Sequence, residues 1–182
     1  MKTFAVTIPT KTYLAKYIHG RYGRPIFIDY STLIGCTVMA FLDKKVPQDS
    51  PTLFRDIRYA SFVEKLEMVI PASRVLNYST GLHISKDKAI VMNRFFEAQF
   101  EEDLHRHCYQ SVDPSLRERR YKGRGGCGYE KAITEFAERY GIELDVDITF
   151  ECLKKSEYRF RKNLEKRATA FVPPKPAPVT LF

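Results

Sequence analysis

Alternation of apolar and polar residues marks the first strand over residues 4–8, which Pro9 closes. Thr10 is then placed to cap a short helix in which Tyr13, Leu14, Tyr17 and Ile18 share a face, with Gly20 and Gly23-Arg24-Pro25 ending it. Ile26-Phe27-Ile28 reads as a second short strand. Ser31 is the expected N-cap of a helix of about thirteen residues, whose apolar face is Leu33, Ile34, Thr37, Val38, Phe41 and Leu42. Residues 47–51, bounded by two prolines, form a loop.

A third strand is expected over residues 62–70, where Val63, Leu66, Met68 and Ile70 interleave with charges until Pro71. Residues 76–84 offer one more strand, bent at Ser79-Thr80-Gly81. Ser85 is expected to cap the longest helix, roughly residues 86–110, with Ile90, Val91, Phe95, Ala98 and Leu104 inward and Glu101-Glu102-Asp103 toward water. Residues 1–112 thus read as a small mixed α+β scaffold of three or four strands and three helices.

Patterning changes at Asp113-Pro114-Ser115. Four of the six residues 123–128 are glycine, which neither hold a helix nor fill a core, so residues 113–128 read as a basic, flexible joint. Two helices follow, near 129–140 and 149–167, within a module spanning 129–168. Residues 169–182 form a Pro-rich tail, expected to be extended and to end on an apolar pair.

Composition narrows the partners. The chain has 182 residues, 44% of them apolar and 13% aromatic, enough for a packed core. A net charge of +8 favours a polyanionic partner. No apolar run is long enough to span a membrane, and the start reads as a strand instead of a signal peptide. Cys36, Cys108, Cys127 and Cys152 are widely spaced without a CxxC pair, which suits a reduced, cytoplasmic protein. His105, His107, Cys108 and Cys127 do not follow a zinc-ligand spacing, and neither metal nor cofactor is expected. His105 and His107 read as solvated residues at a helix end, beside one buried thiol.

Charge in the C-terminal part is sorted by segment. Residues 117–124 hold five basic side chains against Glu118, and residues 130–151 hold seven acids against Lys131 and Arg139. Residues 154–167 then hold seven basic side chains against Glu157 and Glu165; the bland alternative for this segment is an ordinary solvated helix face on which those two acids supply local pairs. On this last helix Phe150, Leu153, Phe160 and Leu164 form an apolar stripe, while Lys155, Arg159, Lys162 and Lys166 fall on another face. One face packs and the other is left to meet phosphates. Lys154, Arg161 and Arg167 add to the cations, and Tyr158 is placed to stack on a base. Arg119, Arg120, Lys122 and Arg124 on the glycine-rich joint are further candidates to follow a phosphate backbone, with Tyr121 beside them.

Two resemblances bear on this picture. Residues 132–142 place Ala137 and Gly141 four apart among Phe136, Tyr140 and Ile142, which resembles the first helix and turn of helix-turn-helix DNA-binding proteins. That resemblance, carried over residues 132–165, implies that the helix starting near Thr149 is a recognition helix. The turn here, residues 143–148, is longer than that family's and acidic. The terminal Pro-Val-Thr-Leu-Phe is similar to the peptide that bacterial replication and repair proteins insert into the sliding clamp, with Pro178 where glutamine is expected. That similarity implies a protein partner held by Val179, Leu181 and Phe182.

The expectation is therefore a non-enzymatic nucleic-acid-binding protein, DNA more than RNA, of the kind a bacterial phage or mobile element encodes. Two alternatives stand beside it. One is an assembly or adaptor protein, such as a virion component, docking through the basic helix and tail. The other is a metal-dependent nuclease built on Glu101, Glu102, Asp103, His105 and His107, although consecutive acids on one helix diverge.

Overall fold

A computed structural model describes residues 3–43, 61–73, 82–112 and 127–170. The fold is α+β, with a three-stranded sheet and five helices among those residues. In chain order the elements are β1 (Thr3–Thr10), α1 (Thr12–Tyr22), β2 (Ile26–Phe27), α2 (Leu33–Phe41), β3 (Glu64–Pro71), α3 (Lys86–Ser111), α4 (Cys127–Arg139) and α5 (Phe150–Ala170).

The sheet order is β1-β3-β2, so the third strand inserts between the first two, antiparallel to β1 and parallel to β2. Register follows the alternation in sequence. Val6 sits opposite Met68 and Ile8 opposite Leu66, while Ile26 faces Met68 from the other side. All five side chains are buried, whereas Ala5, Thr7, Lys65 and Glu67 on the opposite face are exposed.

Helix starts depart from expectation by one residue. Thr10 is not a cap: Lys11 takes the N-cap position of α1 without a side-chain capping bond, and the Thr10 hydroxyl turns inward to Asn93 Oδ1 at 2.5 Å. Thr32, not Ser31, caps α2, its Oγ1 accepting from the Gly35 amide at 3.0 Å. Leu33, expected inside, is 65% exposed because it occupies the first turn on the solvent side. Ser85 does cap α3, accepting from the Lys88 amide.

The inward face of α3 is a correction. Ile90 and Phe95 are only half-buried and Val91 and Ala98 are exposed; of the expected face only Leu104 is buried. The buried stripe is Ala89, Met92, Asn93, Phe96, Phe100, Leu104 and Cys108, the spacing of one helical face. Of the extra strand expected over residues 76–84, residues 76–81 lie outside those described, and His83 forms only an isolated bridge with Asp43. The first helix of the C-terminal pair starts two residues before the expected 129. Helix α4 begins at Cys127 and includes Gly128, whose missing Cβ would lie 3.5 Å from the Val112 side chain.

One hydrophobic cluster runs from the sheet through α1, α2 and α3 to Ala132, Ile133, Phe136, Ala137, Ile142 and Leu153. Tyr17 is its hinge point. Its ring meets Phe100 edge-on at 5.3 Å and Tyr140 at 4.9 Å, and its hydroxyl donates to Asp103 Oδ2 at 2.7 Å. The ring thereby ties α1 to α3 and to the residue that follows α4. Packing is close there: a Cβ on Gly20 would lie 2.7 Å from the Tyr140 ring. Among the described residues no helix is long and apolar enough to cross a membrane.

Candidate nucleic-acid interface

The helical pair is joined through residues 140–149. Gly141 adopts φ +64°, the left-handed conformation that ends α4, and Ile142 folds back into the core with its amide bonded to the Ala137 carbonyl. The acidic stretch after it is organised by its own side chains. Asp147 Oδ2 accepts from the Glu143 amide at 2.8 Å, and Asp145 Oδ1 accepts from the Phe150 amide at 3.0 Å, capping α5. Lys16 on α1 bridges Glu143 at 3.0 Å and Asp147 at 2.5 Å. These bonds raise the Lys16 pKa above its ordinary value. The carboxylates at the foot of α5 are thus committed to holding the turn against α1.

Helix α5 packs along Leu153 and Glu157, which are 3% and 2% exposed. Phe150 and Phe160 flank that line half-buried, and Leu164, expected in the apolar stripe, is 39% exposed. Glu157 therefore departs from its expected place in solvent. Arg161 Nε donates to its carboxylate at 2.7 Å, and the guanidinium lies 3.9 Å from the centre of the Tyr129 ring. Lys154 is also engaged, reaching Glu130 on α4 at 2.7 Å.

The remaining cations point outward. Lys155, Arg159, Lys162, Lys166 and Arg167 are exposed. At about 100° per residue, the first four fall within an arc of about 60°, opposite the buried Leu153–Glu157 line. Lys155, Arg159 and Arg167 make no ion pair among the described residues. Tyr158 is 42% exposed at the flank, with Arg161 and Lys162 each 6.0 Å from its ring centre.

No protein family, curated protein or solved structure matches this chain.

The other expected site residues divide in two. Arg119, Arg120, Lys122 and Arg124, and Val179, Leu181 and Phe182 in the tail, lie outside the described residues. The acids of α3 do not converge. Glu102 pairs with Arg106 at 2.5 Å, Asp103 takes Arg21 and the Tyr17 hydroxyl, and Glu101 faces Ser156. The two histidines are not simply solvated, as expected from sequence. His105 stacks on Phe160 with centroids 4.2 Å apart and planes 8° from parallel, and His107 lies 5.7 Å from Phe136. Cys108 is the buried thiol, its pKa pushed up to about 12 by burial.

Proposed function

We propose that this protein binds nucleic acid by laying α5 along a phosphate backbone. The reading is carried by one observation: Lys155, Arg159, Lys162 and Lys166 form a single exposed stripe on the side of α5 opposite its buried edge. A stripe of this kind neutralises successive phosphates and releases their counterions, so it binds without reading sequence. Lys154 and Arg161 are engaged by Glu130 and Glu157, so the stripe rests on Lys155, Arg159, Lys162 and Lys166, with Glu151 the exposed acid one turn before Lys155 on that face. The turn before α5 argues against groove entry by its first residues. Asp145 caps the helix there, and Glu143 and Asp147 surround it with negative charge. The contact supported best therefore runs from the second turn of α5 onward, as backbone tracking.

The test is fluorescence anisotropy with labelled single- and double-stranded oligonucleotides over a range of salt. Four phosphate contacts give a slope of log affinity against log salt of about −3 on a single strand. Changing Lys155, Arg159 and Lys162 together to Glu abolishes binding while far-ultraviolet circular dichroism stays that of the parent, since all three are exposed. Binding by the triple variant equal to the parent's would move the interface away from α5.

A further inference from the structure

Beside the basic stripe, α3 and α5 flank an open, surface pocket of about 380 Å³ whose walls include Glu101, His105, Ser156, Arg159, Phe160 and Asn163. That volume falls in the range of small-ligand sites. Arg159 belongs to both features, standing in the stripe and in the cavity wall. A strand whose phosphates follow the stripe therefore carries its bases past the cavity mouth.

Apart from Arg159, whose guanidinium is shared with the stripe, the wall chemistry suits a base more than a phosphate. His105 and Phe160 contribute aromatic rings, stacked on each other, and sequence-tolerant stacking on such rings is how single strands are held. Burial lowers the His105 pKa, so the imidazole is neutral at pH 7 and adds no charge to attract a phosphate. Glu101 works against a phosphate. Its carboxylate is exposed, forms no ion pair among the described residues, and takes only a long bond of 3.5 Å from the Ser156 hydroxyl. Ser156 Oγ in turn lies 3.2 Å from His105 Nε2. Glu101 thus keeps acceptor capacity toward the cavity. An ionised carboxylate only accepts, so it favours an edge carrying two adjacent donors. Guanine presents N1–H and its exocyclic amine side by side; adenine and cytosine set a donor next to an acceptor, and thymine sets one N–H between two carbonyls.

We infer that the cavity takes one unstacked guanine base of a single strand bound along α5, with Glu101 accepting from its Watson–Crick edge and the His105–Phe160 wall meeting its ring. This rests on the reading of α5 as a phosphate-tracking helix. It adds to that reading a preference for single strands, because a paired base is not available to enter.

The experiment compares a short labelled thymidine oligomer with the same oligomer carrying one central guanosine, inosine or adenosine. Guanosine is expected to raise affinity about tenfold, the discrimination of a good two-bond contact. Adenosine should give no such gain, and inosine, lacking the exocyclic amine, only part of it. Glu101→Gln should erase the guanosine advantage while leaving the plain thymidine oligomer bound at least as tightly as by the parent. If the parent binds the thymidine oligomer but gains nothing from guanosine, the cavity assignment is wrong and the basic stripe stands. A guanosine advantage undiminished in Glu101→Gln also overturns the assignment. If no oligomer binds at low salt, both readings fall.

Discussion

The carboxylate of Glu157 and the guanidinium of Arg161 meet at 2.7 Å on the packed side of α5, one turn apart, with the Glu157 side chain only 3% exposed. Burial raises the Glu157 pKa above its ordinary 4.5, and the attraction of Arg161 pulls against that rise without cancelling it. A charged pair thus occupies a position where a leucine would have completed the apolar stripe. Its geometry keeps Arg161 over Tyr129, at the contact between α4 and α5.

Removing one partner is expected to cost more than neutralising the other. Arg161→Ala strands a buried carboxylate and should lose about 3 kcal/mol at neutral pH, whereas Glu157→Gln keeps an acceptor for Arg161 and should stay within about 1 kcal/mol of the parent. The pH sign follows from the raised pKa. Stability tied to Glu157 is full below its unfolded pKa of 4.5 and declines as pH rises through the higher folded value. The deficit of Arg161→Ala should therefore shrink on acidification, as read by urea denaturation at neutral and mildly acidic pH. An equal deficit at both would mean that the lost contact is the Tyr129 packing and not the charge.

Asn93 ties α3 to the end of β1 through polar bonds. Its Nδ2 donates to the Pro9 carbonyl at 2.7 Å and the Ala89 carbonyl at 2.8 Å, and its Oδ1 accepts from Thr10. Asn93→Leu removes all three bonds and leaves the buried Thr10 hydroxyl without that partner. A loss of about 2–4 kcal/mol is expected, with Thr10→Val restoring part of it in the double variant. Strict additivity of the two substitutions would show that the pair is not coupled.

Gly20 sits in the last turns of α1 because the Tyr140 ring needs its place. A Cβ there would lie 2.7 Å from Tyr140 Cδ1. Helix propensity alone makes Gly→Ala stabilising by up to about 1 kcal/mol, but overpacking costs about 1–3 kcal/mol. Steric conflict should win, lowering the melting temperature of Gly20→Ala. In a Tyr140→Leu background the ring is gone, and the same change should become neutral or stabilising.

Much of this arrangement was legible from pattern and part of it was not, for reasons that differ by residue. Alternation located β3, and Ser85 located the start of α3, because period and cap chemistry are local signals. The inward face of α3 was misread because the large branched residues Ile90 and Val91 outweigh, on hydrophobicity, a true stripe that includes Ala89, Asn93 and Cys108. The Lys155–Lys166 stripe on α5 was visible, since an exposed face needs only spacing. Glu157 was not, because its burial depends on Arg161 and Tyr129 supplying a partner and a lid. Nor was the cavity: it exists only where His105 and Ser156, 51 positions apart, are brought to 3.2 Å.

His105 gives a pH signature opposite in sign to that of Glu157. Burial lowers its pKa below the ordinary 6.5, the Ser156 contact opposing this more weakly, so the folded chain takes up a proton less readily than the unfolded one. The stability that His105 contributes is full above pH 6.5 and is lost as pH falls through the lower folded pKa. Parent stability alone cannot isolate this, because Glu157 responds in the other direction at lower pH. The difference between parent and His105→Phe can, since a phenyl ring preserves the stack on Phe160 and does not titrate. Denaturation midpoints measured from slightly alkaline to mildly acidic pH should show the parent losing ground relative to His105→Phe as pH falls below 6.5. A difference constant over that range would mean that His105 is as readily protonated folded as unfolded, and that the cavity wall is wetter than its stacked rings imply.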